Sequence, residues 1–285
     1  MLLVDKPAGP TSHDVVSVAR RALGVRRVGH AGTLDPFATG LLVLLVGRAT
    51  RLLPYIDAEP KVYEATVRFG VATDTDDVTG SATEEAALPS RASVERAIGE
   101  LTGVILQEPP AFSAKQVGGR RSYAAARRGE RLELQPVRVR VHEWGVRAWR
   151  DDELDVVITC SGGTYVRALA RDLGRLSGSV AHLTALRRVR SGPFTVSRAA
   201  TLDDVASGAA IVLPPIEAVR SLPSERLGAE ELARVITGRP VAASVAGERA
   251  ALVDSLGDLV AVAARAESEG GETLWQPRLV LRDAS

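Results

Sequence analysis

Apolar residues alternate with mostly polar ones along one stretch of this 285-residue chain, and the alternation predicts a β-strand. Tyr63, Ala65, Val67 and Phe69 occupy every second position, so they share one face, which we expect to be buried. Two further strands are predicted at residues 137–141 and 155–160 from their apolar runs. An all-helical fold is therefore excluded.

Other segments have a helical period. Apolar residues between Asp14 and Leu23 recur at helical spacing, and Gly24 follows where a C-cap glycine is typical. A second helix is predicted from Tyr165 to Leu176, and a short third one at residues 91–106. Because strands and helices follow one another irregularly, the predicted class is α+β.

The length is too great for one small domain and fits either one large domain or two unequal ones. A single cysteine, Cys160, excludes an internal disulfide. The longest aliphatic run, residues 41–46, is much shorter than the ~20 residues that a membrane span requires. Since the first residues lack a signal-peptide pattern, we expect a cytoplasmic protein without membrane attachment.

The net charge of +1 is an average over three different segments. Residues 1–100 carry 11 basic and 13 acidic side chains, residues 101–200 carry 17 and 9, and residues 201–285 carry 8 and 13. A basic middle third between two acidic ones favours a polyanionic partner. Six of these basic residues lie in residues 107–136, here called the basic insertion. The alternative is that this run is simply a solvated, charged face.

A domain boundary is predicted where prolines cluster, at residues 213–224. Residues 1–220 would then form the main domain. Residues 221–285 would form a small, mostly β C-terminal domain with one helix at Ala229–Ile236.

Several common chemistries are excluded by the absence of their motifs. The chain has no phosphate-binding loop, no dinucleotide-binding glycine motif, no serine nucleophile elbow and no zinc-protease motif. Its four histidines lie far apart without ligand-like spacing, so we expect no metal site.

The glycine-rich stretch Gly29–Pro36 contains the first candidate for catalysis, Asp35. One interpretation is structural, since aspartate before Pro36 is typical of a helix N-cap, which would start a helix running to Val46. The other is that this carboxylate is a nucleophile or base in a loop that a substrate can approach closely. His30, in the same loop, either ties backbone groups together or belongs to the site.

The second candidate is the strand-to-helix turn at residues 161–167. Arg167, near the start of the predicted helix, either lies on the surface or pairs with a phosphate or with Asp35. Aromatic residues make up only 4% of the chain, so Tyr63 and Tyr165 are notable. Tyr63 fits a core position, but a flipped nucleobase also requires an aromatic face to stack on.

Taken in order, these motifs resemble one family. Asp5-Lys6-Pro7-Ala8-Gly9, Gly29-His30-Ala31-Gly32-Thr33-Leu34-Asp35-Pro36, Lys61-Val62-Tyr63, Gly163-Thr164-Tyr165-Val166-Arg167 and Leu186-Arg187-Arg188 are similar to motifs of the TruB family of tRNA pseudouridine synthases. The resemblance covers most of residues 1–195.

This resemblance implies the pseudouridine synthase fold, with a mixed, largely antiparallel central sheet flanked by helices and loops, and a PUA-like C-terminal domain. It implies that the protein converts a uridine in the TΨC loop of tRNA (position 55) into pseudouridine by base flipping, without cofactor or metal. Asp35 falls on the catalytic aspartate, and Arg167 on the arginine that pairs with it. Tyr63 falls on the tyrosine that packs on the flipped base, while His30, Tyr165 and Leu186 fall on other positions of the substrate site.

The basic insertion resembles the thumb of bacterial members, which act without a guide RNA. The expected partner is accordingly the T arm of tRNA, with no obligate protein partner. The side chains expected to bind the RNA backbone are Lys115, Arg120, Arg121, Arg127 and Arg128.

Two other functions remain open at this stage. One is a non-catalytic module that binds or folds tRNA. The other is a glycoside hydrolase, which would normally require a second carboxylate about 5–9 Å from the first. No second acid stands out in a motif near Asp35.

Overall fold

The computed structural model describes residues 1–110 and 135–281, and the backbone of residues 116–117 and 120–121. Five α-helices lie in these ranges, along with three 3₁₀ helices. The α-helices are α1 (Ser12–Leu23), α2 (Arg91–Glu100), α3 (Val166–Leu176), α4 (Leu202–Ser207) and α5 (Ala229–Ile236), and the 3₁₀ helices are Gly47–Leu52, Val196–Arg198 and Pro215–Val219. None of these helices is long and apolar enough to cross a bilayer.

The strands of the described residues form two sheets and two small hairpins. The strands are β1 (Leu2–Lys6), β2 (Val28–His30), β3 (Thr39–Val46), β4 (Lys61–Phe69), β5 (Val71–Thr73), β6 (Ala82–Glu85), β7 (Gly103–Gln107), β8 (Gln116–Val117), β9 (Arg120–Arg121), β10 (Val137–Arg150), β11 (Glu153–Cys160), β12 (Ala181–Ser191), β13 (Phe194–Thr195), β14 (Ala200–Thr201), β15 (Ser224–Arg226), β16 (Val241–Ala242), β17 (Arg249–Val253), β18 (Leu259–Glu267) and β19 (Thr273–Val280).

The central sheet has the order β14-β1-β3-β12-β4-β11-β10-β7, with β2 paired to β3 and β13 to β12. Only the β1–β14 and β3–β12 pairs are parallel. The predicted mixed, largely antiparallel sheet is thus confirmed, and so is the α+β class. Where β3 meets β12, Gly40 lies opposite Arg188 with φ +100°, and a Cβ there would collide with the backbone of Arg188. Glycine is therefore required for these two strands to approach each other.

Local signals in the sequence explain the first helix. The Thr11 side chain accepts a hydrogen bond from the backbone N–H of Asp14, whose carboxylate accepts one from the backbone N–H of Thr11. This capping box begins α1, and Gly24 ends it in the left-handed conformation with φ +63°. The predictions for α1, β4 and α3 are confirmed to within a few residues.

The prediction of a helix after Pro36 was wrong. Residues 39–46 form strand β3, whose side chains are buried on both faces of the sheet. Leu42 and Leu44 face the core that contains α1, whereas Leu41, Val43 and Leu45 face the C-terminal sheet. Because both faces are apolar, the sequence lacks the alternation that would have distinguished a strand from a buried helix.

Two smaller predictions also needed correction. The helix expected within residues 91–106 ends at Glu100, and residues 103–107 form β7, the edge strand of the central sheet. The segment with Trp144 and Trp149, which was expected to separate two strands, continues β10 as far as Arg150.

Residues 224–280 form the second sheet, with the order β15-β17-β18-β19-β16 and with α5 packed against it. The mostly β character of this C-terminal domain is confirmed. Its buried carboxylate, Glu225, accepts hydrogen bonds from Ser244, Val245 and Trp275. Burial alone would raise the pKa of Glu225, but these hydrogen bonds hold it below its ordinary value.

The C-terminal sheet packs on the face of the central sheet opposite α1 and α3. Val262 and Leu279 of the C-terminal sheet belong to the same buried cluster as Leu41 and Val43 of β3. A hydrogen bond also joins the 3₁₀ helix that follows β3 to the C-terminal sheet, since Arg51 Nη1 donates to the Val280 carbonyl at 2.8 Å. This covers one face of the central sheet around β3, while the site described next lies on the other face.

Candidate active site

Asp35 lies in the loop between β2 and β3, and this loop is held in place from both sides. The Ser12 hydroxyl donates to the Leu34 carbonyl and accepts from the Leu34 N–H, at 3.0 and 2.8 Å. Lys6, which is fully buried, donates from Nζ to the Pro36 carbonyl at 3.2 Å and to two carbonyls of residues 7–10. These contacts position the Asp35 backbone against α1 and β1.

The Asp35 carboxylate forms a bidentate ion pair with Arg167 at the start of α3. Arg167 Nε donates to Oδ2 at 2.9 Å, and Nη2 donates to Oδ1 at 3.0 Å. The Asp35 side chain keeps 35% of its surface exposed, whereas that of Arg167 keeps 5%. Asp35 therefore presents an oriented carboxylate to an open space, and the expected pairing of these two residues is confirmed as geometry.

Arg167 is itself fixed by the turn that follows β5. Its Nη1 donates to the Thr75 carbonyl at 2.8 Å and lies 3.4 Å from the Asp77 carboxylate, which is also buried. Burial raises the pKa of Asp35 above its ordinary value, and the Arg167 guanidinium opposes that shift. The arginine thus favours the ionised form of a partly desolvated carboxylate.

A cavity of about 270 Å³ opens in front of Asp35. Five of the six substrate-site residues predicted from sequence line it: Asp35, Tyr63, Tyr165, Arg167 and Leu186. Their roles toward a substrate remain predictions. Among the described lining residues Asp35 is the only carboxylate, so the arrangement lacks the facing pair of acids that glycoside hydrolysis normally requires.

Two tyrosines contribute to the cavity wall from different elements. Tyr63 projects from β4 with 6% of its surface exposed, and burial raises the pKa of its phenol. Tyr165 is the N-cap residue of α3. The Gln107 side chain forms two hydrogen bonds with the Tyr165 backbone: Oε1 accepts from the N–H at 2.8 Å, and Nε2 donates to the carbonyl at 3.1 Å. Gln107 therefore joins the base of the basic insertion to the helix that carries Arg167.

His30 is the predicted site residue that does not line this cavity. It lies on β2, and its Nδ1 is buried without a hydrogen-bond partner in the described part of the chain. Burial and the neighbouring charges of Arg188 and His13 lower its pKa, so the imidazole is neutral near pH 7. Its contribution to the site stays a prediction.

The predicted RNA-backbone residues lie mostly outside the described residues. Arg120 and Arg121 form β9, which pairs with β8, but their side chains are not described. Lys115, Arg127 and Arg128 lie outside the described residues altogether. Their role in RNA binding stays a prediction.

Sequence reasoning missed several residues that build the site. Lys61 lines the cavity, Asp77 supports Arg167, and Gln107 holds Tyr165. Lys61 could have been found, because it precedes Tyr63 by two positions on the same strand face. Asp77 could not, since its segment shows only a polar, turn-rich pattern. Across the part of the chain that the structure describes, no cluster of three or more acidic, histidine or cysteine side chains could hold a metal ion.

Next to this network, Asp76 is held in an unfavourable environment. It is half-buried in the turn with a left-handed φ of +60°, and its carboxylate lies 3.2 Å from Arg171 of α3. Burial raises the pKa of Asp76 from 3.8 to about 6, although Arg171 opposes the shift. Asp76 therefore binds a proton more tightly in the folded state than in the unfolded chain. The free energy of unfolding that this tighter proton binding contributes at low pH is lost as the pH rises through about 6.

Asp76→Asn is therefore expected to stabilise the protein at pH 7.5, by up to about 3 kcal/mol, with the difference vanishing near pH 4. Asparagine tolerates the left-handed φ and has no charge to bury. Urea unfolding of both proteins at several pH values measures this. Asp74→Asn, an exposed position of the same turn, is the control and should show no such trend. A variant that is less stable than the wild type at pH 7.5 would contradict the prediction.

Two models of one protein family match consecutive parts of the chain. Residues 20–166 match the model of the TruB family pseudouridylate synthase N-terminal domain, and residues 167–215 match that of the tRNA pseudouridylate synthase B C-terminal domain. The chain belongs to the TruB family. It is therefore a pseudouridylate synthase by family, which makes it an isomerase.

Relatives within the TruB family match over most of the chain. The tRNA pseudouridine synthase B of Thermobifida fusca is 50% identical over 255 residues, covering 86% of this chain and 87% of that protein. The protein of the same name from Cutibacterium acnes is 44% identical over 283 residues, covering 96% and 95%. The C-terminal sheet thus lies within the region of similarity.

Solved structures support the fold. A chain in the crystal structure of a Cbf5-Nop10-Gar1 complex superposes with a TM-score of 0.73 at 24% identity, covering 99% of this chain and 84% of that one. A chain in the structure of an archaeal box H/ACA sRNP Nop10-Cbf5 complex gives 0.71 at 22% identity, covering 99% and 86%. At this level of identity the likeness establishes the fold alone.

Proposed function

We propose that this protein converts a uridine in the TΨC loop of tRNA, at position 55, into pseudouridine. The observation that carries the proposal is the Asp35 carboxylate, fixed by Arg167 at the wall of a cavity that Tyr63 also lines. The choice of tRNA rests on relatives at 44 to 50% identity whose names give tRNA as the substrate.

The reaction is a rearrangement within one nucleotide. The bond from C1′ of the ribose to N1 of uracil breaks, a bond from C1′ to C5 forms, and the hydrogen on C5 is replaced by one on N1. Atoms and electrons balance without an oxidant or reductant, so the reaction requires no cofactor. Asp35 acts on the ribose, either by attacking C1′ or by removing a sugar proton.

A uridine stacked within an RNA loop cannot reach Asp35, because that carboxylate lies in a cavity. The nucleotide must therefore flip out of the loop, at a cost of a few kcal/mol for unstacking. The Tyr63 ring provides a rigid apolar face for the flipped uracil, which offsets part of that cost. Tyr165 and Leu186 complete the apolar wall of the cavity.

The experiment is an incubation of the purified protein, with no added cofactor or guide RNA, with an unmodified T-arm stem-loop tritiated at C5 of its uridines. Tritium release reports the exchange at C5, and carbodiimide mapping locates the product. A matched stem-loop with cytidine at the target position is the control. Binding of the stem-loop without tritium release would favour the alternative function, a non-catalytic tRNA-binding or folding module.

The basic insertion is expected to contribute most of the contacts to the RNA backbone. Changing Arg120, Arg121, Arg127 and Arg128 together to alanine should weaken stem-loop binding and flatten its dependence on salt, because fewer counterions are released. Affinities measured between 50 and 200 mM salt test this, with Arg96→Ala, an exposed position on α2, as the control. An unchanged salt slope would place the RNA backbone elsewhere.

A further inference from the structure

The start of α3, which carries Arg167, is not capped by its own N-cap side chain. Tyr165 occupies the N-cap position, and its side chain accepts no hydrogen bond from the first turn within the described part of the chain. A tyrosine is unsuited to capping, because its hydroxyl lies at the far end of the ring. The backbone from Tyr165 to Arg167 therefore depends on contacts from other elements for its position.

Gln107 provides the first of these contacts from the end of β7. Its side chain is fully buried, and its hydrogen bonds at 2.8 and 3.1 Å occupy both the N–H and the carbonyl of Tyr165. The same carbonyl accepts the first hydrogen bond of the helix, from the Leu169 N–H at 3.1 Å. A buried amide that bonds both backbone groups of one residue fixes the chain there, two residues before Arg167.

Arg171, one turn after Arg167, provides the second contact. Its Nη2 donates to the Glu108 carbonyl at 2.9 Å. Its Nη1 donates to the Asp76 carboxylate at 3.2 Å, in the turn that also accepts a hydrogen bond from Arg167. Gln107 and Glu108, the first two residues of the basic insertion, are thus both hydrogen-bonded to α3.

We propose that Gln107 and Arg171 are positioning residues for the reaction, because they hold the start of α3 where Arg167 meets both oxygens of the Asp35 carboxylate. This rests on the proposed function and assigns a part in it to two side chains that do not line the cavity. A bidentate pair requires both nitrogens of one guanidinium edge to stay within hydrogen-bond distance. A displacement of about 1 Å breaks that geometry, and displacements of this size can lower a rate by about 100-fold.

A displaced Arg167 also changes the ionisation of Asp35. The charged groups that act on Asp35 are Arg167 from α3, Lys6 from β1 and Asp77 from the turn after β5. Burial raises the pKa of Asp35, and Arg167 gives the largest opposing effect. Weaker contact with Arg167 therefore raises this pKa. The acid limb of the pH–rate profile then moves to higher pH, because the reaction requires the carboxylate form.

The test uses two variants. Gln107→Met keeps the length of the side chain and removes both hydrogen bonds to Tyr165, and Arg171→Met removes the bond to Glu108. For Gln107→Met, the single-turnover rate at saturating protein should fall about 30-fold at pH 7.5, and the acid limb should rise by about half a pH unit. Stem-loop affinity should stay within about threefold of the wild type. Arg171→Met should show the same changes at a smaller size. Since the Arg171 side chain is partly exposed, this variant tests the proposal if Gln107→Met does not fold.

Ser179→Ala is the matched control, just after the other end of α3. The Ser179 hydroxyl is buried and donates to the Ala87 carbonyl at 2.7 Å, so this variant also loses a buried hydrogen bond to the backbone. It should lower the temperature of thermal unfolding, as the methionine variants do. Because Ser179 does not line the cavity or contact the start of α3, the rate and the acid limb should stay at their wild-type values.

Carboxyl ¹³C NMR of the protein without RNA measures the pKa of Asp35 directly, with Asp35→Asn identifying its signal. Gln107→Met should raise this pKa. If the wild type releases no tritium but the variant shows this shift, the positioning of Arg167 stands and the proposed function fails. Folded variants with a wild-type rate and an unchanged acid limb would overturn the proposal. A loss of stem-loop affinity with an unchanged rate at saturation would overturn it too, because the two residues would then serve RNA binding alone.

Discussion

Asp35→Asn is expected to lower the rate of pseudouridine formation by more than about 10³-fold while stem-loop binding stays within a few-fold of the wild type. The amide keeps the shape of the carboxylate but cannot attack a sugar carbon or accept a proton. Binding persists because most of the affinity for RNA comes from phosphate contacts elsewhere. Single-turnover tritium release and a binding assay on the same stem-loop measure the two effects separately.

The matched control is Asp203→Asn, at an exposed position in the first turn of α4. This variant should keep wild-type activity, since it makes the same chemical change at a residue that does not line the cavity. Turnover of Asp35→Asn near the wild-type level would remove Asp35 from the mechanism. A parallel loss of binding would mean instead that the carboxylate organises the cavity.

Arg167→Met is expected to damage both stability and catalysis. Arg167 is 4% exposed and neutralises Asp35 together with the buried Asp77. Removing one partner of a buried ion pair typically costs about 3–5 kcal/mol, and we expect the lower end because Asp35 is partly solvated. Burial would then raise the pKa of Asp35 with only the weaker effect of the Lys6 charge against it, so less of the carboxylate is ionised at neutral pH.

Activity of Arg167→Met should fall by more than about 100-fold, and its acid limb should move to higher pH, because Asp35 protonates more readily. Urea unfolding and pH–rate profiles of single-turnover reactions measure these effects. Combining the change with Asp77→Asn is the control: it should recover part of the stability, because one unpaired charge is removed, but none of the activity. A double variant that regains activity would show that Arg167 acts only through folding.

The elements that could be predicted are those whose pattern has one buried face. β4 alternates Tyr63, Ala65, Val67 and Phe69 inward, and all four are buried. α1 has both of its caps in the local sequence. By contrast, β3 is apolar on both faces, because helices cover one side of it and the C-terminal sheet covers the other. A strand buried on both faces lacks the alternation of apolar and polar residues, so its local sequence does not distinguish it from a buried helix.

The candidate site likewise contains residues that the sequence identified and residues that it missed. Asp35, Tyr63, Tyr165, Arg167 and Leu186 were found from motifs, and the structure brings all five to one cavity. Residues that act by supporting others were missed. Asp77 and Gln107 carry no motif of their own, since their importance arises from contact with Arg167 and with the backbone of Tyr165.

From its sequence alone, the chain could be assigned its class, its first helix and its half-buried strand, because each depends on neighbours within a few residues. Local sequence left Asp35 open between a helix cap and a catalytic carboxylate, and only the family resemblance favoured the second. Only the tertiary structure decided that the Asp35 carboxylate accepts two hydrogen bonds from Arg167, a residue 132 positions away, instead of capping a helix. It also decided that Lys61 and Arg188, from two different strands, both approach the backbone of Gly32. Charge pairing and desolvation depend on distances in space, and these distances are set when the sheet assembles.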